Sequence, residues 1–110
     1  MNAQLSPVDD LIEEALSACR TLPCTTDVRA LDERLRAALQ ERLPLVQRQA
    51  DGLDRGTVAW WNRQRVLDAA DNALAEQLPA DAPLVAAVYV AELGRRLREL
   101  DAYAKEVEHD

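Results

Sequence analysis

The side chains in this 110-residue chain that are best suited to catalysis or metal binding are two cysteines, one histidine and 20 carboxylates. Cys19 and Cys24 are separated by four residues that include Pro23, and Cys19 falls on the apolar face of a predicted helix. A metal site would need further soft ligands, and the single histidine, His109, lies near the C-terminal end of the sequence. Free cysteines are often buried, so we expect buried or incidental thiols, with a Cys19–Cys24 redox switch as the alternative.

The carboxylates and glycines form no recognisable catalytic motif. Asp68 and Asp71 lie one helical turn apart, but such pairs are common on acidic helices, and two acidic residues alone make a weak metal site. Without a usable histidine there is no Ser-His-Asp or Cys-His arrangement, and no glycine-rich loop is present to hold phosphate. The sequence therefore predicts no catalytic residue, no metal and no cofactor.

The composition indicates a globular protein with an acidic surface. Hydrophobic residues make up 48% of the chain, and 13 Lys and Arg stand against 20 Asp and Glu, a net charge of −7. Such a surface repels phosphate backbones and anionic lipids, so we expect neither nucleic-acid nor membrane binding. No signal peptide and no apolar stretch of roughly 20 residues is visible, which predicts a cytoplasmic protein with reduced thiols.

Apolar residues at three- and four-residue spacing predict four helices, at about residues 7–20, 27–53, 57–78 and 83–106. Pro44 lies inside the second helix and predicts a kink or a break there, of which the continuous apolar stripe favours the kink. Amphipathic helices joined by short loops can bury their stripes only against one another. The expected fold is therefore all-α, a single-domain antiparallel four-helix bundle over residues 1–110.

Two surfaces of this bundle are candidates for binding. Polar and aromatic residues beside the core faces of the third and fourth helices would line an interhelical ligand pocket, if one exists. These residues are Trp60, Arg63, Asp71, Tyr89 and Arg96. The alternative is that their polar ends reach solvent while their stems cover the core.

The second candidate is an interface. The fourth helix is apolar almost all round from Leu84 to Ala91, which is more apolar surface than one core face requires, and Trp61 points about 100° away from Trp60. A homodimer or a partner protein would cover this surface. The predicted interface residues are Trp61, Leu84, Ala87, Val88 and Ala91.

Several core positions carry a resemblance to a known family. They are Thr21-Leu22-Pro23, Leu31-x3-Leu35-Arg36, Leu43-Pro44-x-Val46 and Ala86-Ala87-x-Tyr89-Val90-x2-Leu93-x-Arg95-x-Leu97-x2-Leu100. The pattern resembles a family of short actinomycete proteins that carries only an unknown-function domain label and the description "natural product biosynthesis protein". The resemblance implies a setting near specialised-metabolite gene clusters and supplies no catalytic residue. Trp60-Trp61 departs from that family, which has smaller residues there.

A shorter pattern, Val28-Arg29-x-Leu31-Asp32-x2-Leu35-x3-Leu39-x-Glu41-Arg42, resembles the first helix of small helical chorismate mutases. In that family an arginine on this helix helps to bind the substrate's carboxylates, and Arg29 matches it. The family also needs a lysine near the end of the helix, whereas the single lysine here is Lys105. The leading interpretation is thus a non-catalytic interaction or accessory protein of secondary metabolism. The alternative is a small-molecule binder or a small helical enzyme.

Overall fold

A computed structural model describes residues 7–106, which are helical apart from short connections. Five helices follow one another along the chain: α1 (Pro7–Leu16), α2 (Ala18–Thr21), α3 (Thr25–Asp51), α4 (Val58–Ala75) and α5 (Pro83–Glu106). This range contains no strand, so the all-α prediction is confirmed. The predicted count of four helices is not confirmed, because the first predicted helix is divided at Ser17. His109 lies outside the described residues.

The division at Ser17 decides which side chains face the core. Ala18 and Cys19 both lie about one turn after the buried Ala15, and the structure buries Ala18 completely while Cys19 is exposed. Cys24 is exposed as well. Of the two expected alternatives, buried or incidental thiols, burial is wrong. For Cys19 the reason is that helical spacing alone does not choose between positions three and four residues after Ala15.

Helix α3 runs without a break through Pro44, so of the two predicted alternatives the break does not occur. Proline has no N–H, which leaves the carbonyl of Gln40 without its usual donor one turn later. Both Gln40 and Pro44 are on the exposed side of the helix, where water can supply the missing hydrogen bond. The core side is unaffected, and Val46 is fully buried.

Helices α3 and α5 lie side by side at the centre, with α1 and α2 on one flank and α4 on the other. Contacts join Arg36 to Tyr89 and Arg42 to Asp101, so α3 and α5 run in the same direction. Helices α1 and α4 do not contact each other within the described range. Fully buried leucines from the two central helices form the middle of the core: Leu31, Leu35, Leu39, Leu93, Leu97 and Leu100.

The flank of α5 that faces α1 carries small residues. Gly94 lies so close to α1 that a Cβ at this position would be 2.7 Å from the Cβ of Ala15. Ala87 and Ala91 share this face of α5 and are 0% and 4% exposed. The prediction that Ala87 and Ala91 belong to an interface was therefore wrong: they are buried inside the chain's own fold.

Gly94→Ala should destabilise the protein by about 1 kcal/mol, as measured by urea denaturation followed by circular dichroism. Overpacking of a rigid contact costs about 1–3 kcal/mol. This exceeds the ~1 kcal/mol that alanine gains over glycine inside a helix. The partner atom, Ala15 Cβ, is attached directly to the α1 backbone, so relief requires α1 itself to move.

Gly52→Ala is the matched control, since a Cβ there would meet only carbonyl oxygens at 3.6 Å and the residue has a helical φ of −84°. We expect little change in its stability. The double variant Ala15→Gly/Gly94→Ala should be less destabilised than the sum of its single variants. Equal stability of Gly94→Ala and the wild type would contradict the close contact.

Candidate functional site

Arg36 of α3 holds the C-terminal end of α4 against α5. Its Nη1 donates to the carbonyl of Leu74 at 2.9 Å, and its Nη2 contacts the Glu76 carbonyl and the Tyr89 hydroxyl. Its Nε is 3.0 Å from Asp32 Oδ1. The last carbonyls of a helix have no donors within the helix, and a positive charge suits that end of the helix dipole. Arg36 therefore caps α4 and joins three helices.

Beside this junction, the end of α4 and the start of α5 form a groove of about 480 Å³, which we call the α4–α5 groove. Its apolar wall includes Pro79, Val85 and Val88. Val85 and Val88 are 55% and 50% exposed, and the neighbouring Leu84 is 60% exposed. Large apolar side chains are thus left in contact with water at one place on the most central helix of the fold.

Two carboxylates also line the α4–α5 groove, and their environments differ. Glu92 is 3.3 Å from Arg96 Nε and 3.9 Å from Arg95 Nε. The exposed Glu76 side chain makes no ion pair with any group of residues 7–106, although its backbone carbonyl accepts a hydrogen bond from the Tyr89 hydroxyl at 2.9 Å. The groove therefore combines an apolar wall with one carboxylate available for a ligand.

The structure distributes the five predicted pocket residues over several places. Arg63 lies towards the start of α4, where its Nε donates to Gln49 Oε1 at 2.9 Å and its guanidinium stacks 4.6 Å from the Tyr103 ring centre. Tyr89 lies at the other end of α4, with its hydroxyl 3.3 Å from the Ala73 carbonyl. Ten residues of helix, about 15 Å, separate Arg63 from Ala73.

The remaining three pocket residues are not beside Tyr89 either. Trp60 packs at the edge of the core, and its ring meets that of Trp61 edge-on at 4.9 Å. Arg96 lines a different, shallow groove, which lies nearer the middle of α4 and includes Arg65 and Asp68. Asp71 is exposed. Among the grooves described here, none is lined by all five residues.

The three exposed residues of the predicted interface also separate. Trp61, 54% exposed, lies near the start of α4 with Val58, 76% exposed. Leu84 and Val88 are at the start of α5, which packs against the end of α4 because Tyr89 meets Ala73. One predicted interface thus becomes two apolar patches at opposite ends of α4.

Sequence reasoning missed two features of the groove. Val85 belongs to the apolar run from Leu84 to Ala91 and could have been predicted as an interface residue. The run does not show, however, which of its sides the other helices cover. The spacing of Arg36 from Asp32 indicates only a local charge pair on α3, and it gives no sign of the contacts to α4 and α5, whose residues lie 38 to 53 positions away in the sequence.

A second buried polar contact joins α1, α3 and α5 on the opposite flank. Asp101 is 6% exposed and accepts from Arg42 Nε and Lys105 Nζ, both at 3.0 Å. Lys105 Nζ is also 3.8 Å from Asp9 Oδ1. The hydrogen bond and the negative charge of Asp101 raise the pKa of Lys105 above the ordinary value of 10.5. This network stabilises the packing of α1, α3 and α5, and this structural role explains why its charged groups lie together.

A model of a family of unknown function, DUF6415, matches residues 7–108. The chain belongs to this family. Comparison with curated proteins and with solved structures finds no match. Membership of DUF6415 confirms the resemblance to an unknown-function family, while the actinomycete natural-product setting stays a prediction.

Two further observations concern what this DUF6415 member can bind. Among its described residues, no group of three or more His, Cys, Asp or Glu side chains is arranged to hold a metal ion. Between residues 7 and 106, no helix combines the length and hydropathy of a membrane span. Arg29, which matches the substrate-binding arginine of chorismate mutases, is exposed and lines none of the grooves described here.

Arg36→Met should lower the free energy of unfolding by about 2 kcal/mol, because hydrogen bonds to a charged group contribute about 1.5–3 kcal/mol and carbonyls at the end of α4 would lose their donor. Arg34→Met is the control, since Arg34 and its partner Glu14 are both 53% exposed and such pairs contribute about 0–1 kcal/mol. Chemical denaturation compares the two. Similar losses in both variants would show that Arg36 does not fix the end of α4.

Lys105 should contribute stability that depends on pH only in the alkaline range. A raised folded pKa means that the contribution is fully present below 10.5 and is lost as the pH rises through the folded value. The difference in unfolding free energy between wild type and Lys105→Gln should therefore be constant at neutral pH and shrink above 10.5. In an Asp101→Asn background the difference should be smaller and nearly flat; an unchanged alkaline decrease would rule out Asp101 as its cause.

Proposed function

We propose that this protein is a non-catalytic interaction domain that binds a short segment of another protein in the α4–α5 groove. The observation that carries the proposal is the exposed apolar cluster of Leu84, Val85 and Val88 beside that groove. Single exposed apolar residues are ordinary on protein surfaces, whereas a contiguous apolar patch next to a concave surface is typical of a contact site.

The size of the patch supports a short segment rather than a stable homodimer. Only three apolar side chains, each half to three-fifths exposed, form the patch. A stable protein–protein interface covers about 800 Å² on each partner. A short helix or loop that fills the groove needs less, and binds more weakly and reversibly.

A small-molecule binder is the second candidate. The groove volume of about 480 Å³ lies within the roughly 300–1,000 Å³ of ligand pockets, and the Tyr89 hydroxyl lies at its side. Small-molecule sites usually bury most of the ligand surface, whereas the groove is open and its valines are half-exposed. This favours a protein segment over a small molecule. Quenching of Trp60 and Trp61 fluorescence is not suited to test this candidate, since Tyr89 and the groove lie at the other end of α4.

The biological setting we propose is an accessory role in secondary metabolism, supported by the resemblance to short actinomycete natural-product proteins. In that setting the partner would be a protein of a biosynthetic pathway. The position of genes of this family beside biosynthetic clusters is the direct test, and a random genomic distribution would remove the setting while leaving the groove as a binding site.

The binding proposal predicts that at least one peptide in a panel of amphipathic helices, with cationic, neutral and anionic members, binds saturably. Backbone amide shifts should concentrate at the end of α4 and the start of α5 in two-dimensional NMR spectra. Val88→Ser should weaken binding about fivefold, because the lost apolar contact contributes about 1 kcal/mol.

Val58→Ser is the matched control. It removes an exposed valine at the start of α4, far from the groove, and should leave binding unchanged. Absence of binding by every peptide, or equal effects of the two substitutions, would refute the groove as a docking site. If light scattering instead shows a dimer that Val88→Ser dissociates, a second copy of the chain is the occupant.

A further inference from the structure

We propose that the occupant of the α4–α5 groove is basic as well as apolar: an amphipathic helix of another protein that sets an apolar side chain against Val85 and Val88 and a lysine or arginine against Glu76. This inference rests on the proposed function and names the chemistry of the partner. It is carried by the charge of the groove and by the position of Glu76 at the end of α4.

Glu76 is placed where a negative charge does not help the fold. It follows the last residue of α4, at the negative end of the helix dipole, where a carboxylate is unfavourable. Its backbone is fixed, since its N–H donates to the Ala73 carbonyl at 3.3 Å and its own carbonyl accepts from Tyr89 and Arg36. Its side chain has no cationic partner among residues 7–106. A cation supplied by a ligand would pair with this carboxylate and reduce its repulsion from the helix end.

The charge of the rest of the groove and of the whole chain also favours a positively charged partner. Glu92, the other carboxylate that lines the groove, is already paired with Arg95 and Arg96, so Glu76 is the carboxylate of the groove open to a new pair. The net charge of −7 attracts a basic segment over longer distances. The same charge disfavours a second copy, because two identical acidic surfaces would face each other.

The shape of the exposed face of α5 favours a helix. Leu84 and Val88 are four residues apart and form a ridge, and ridges at this spacing pack into the grooves of a neighbouring helix. An added helix would extend the existing packing of α4 against α5, with its apolar residues at three- and four-residue spacing. Its basic residues would then flank the apolar contact on the side of Glu76.

The experiment compares three peptides of about 16 residues, long enough to form a helix on binding. The first has leucines on one face and lysines beside them; the second has glutamates in place of the lysines; the third has the composition of the first with the leucine spacing scrambled. Fluorescence anisotropy, at low and at physiological salt, gives their affinities for the full chain. We expect the lysine peptide to bind at least about fivefold more tightly than either of the others.

Substitutions in the chain test the role of Glu76. Glu76→Gln should weaken binding of the lysine peptide about two- to fivefold and leave binding of an uncharged leucine–glutamine peptide unchanged. Glu33→Gln is the control: it removes the same charge from an exposed position of α3 and should have a smaller effect. Circular dichroism confirms that each variant is folded.

The outcomes separate this inference from the function on which it rests. Binding of the glutamate or uncharged peptide at the groove, as tightly as the lysine peptide, would overturn the basic partner and keep the docking site. Equal binding of the scrambled peptide would show general charge attraction and overturn the inference, as would equal effects of Glu76→Gln and Glu33→Gln. Failure of all peptides to bind would overturn both.

Discussion

The fold depends on the close packing of α5 against α1 at Gly94, where the absence of a side chain leaves room for the Cβ of Ala15. Helix α5 contacts each of the other helices, and Gly94 lies on the flank of α5 that faces α1. With α1 and α2 on that flank and α3 behind, the buried leucines of α3 and α5 fill the centre. What is left of the α5 surface is a single outward strip, and its first turns carry Leu84, Val85 and Val88.

Arginines then determine how the packed helices are positioned along one another. Apolar contact is non-directional, so it tolerates sliding of one helix past another. Arg36, Arg42 and Arg63 each connect their own helix to others through partners with defined geometry: backbone carbonyls, the buried Asp101 and the Gln49 amide. These contacts are partly buried and contribute more than exposed pairs such as Arg34 with Glu14. They therefore specify the helix register, and with it the position of the groove.

The parts of this structure that were predictable from sequence are those with local causes. Helix α5 begins at the predicted residue because Pro83 suits a first helical turn, and its apolar period keeps the rest of the described residues helical. The errors have non-local causes. Helix α4 ends at Ala75, before the predicted Leu78, where Arg36 and Tyr89 hold the last carbonyls. The burial of Ala87 and Ala91, and the distance of Trp61 from Val88, follow from which helices become neighbours, which a helical period does not contain.

The early end of α4 connects the stability of the fold to its surface. Because the chain leaves the helix at Glu76, no further turn of α4 covers Val85 and Val88, and the same junction that caps α4 also forms the side of the groove. The exposed residues themselves contribute little to this packing. Serine or lysine at positions 84, 85 and 88 would satisfy the helix and improve solubility. Their apolar character is thus unexplained by the fold of one chain, which is why the proposed function assigns the α4–α5 groove to a binding partner.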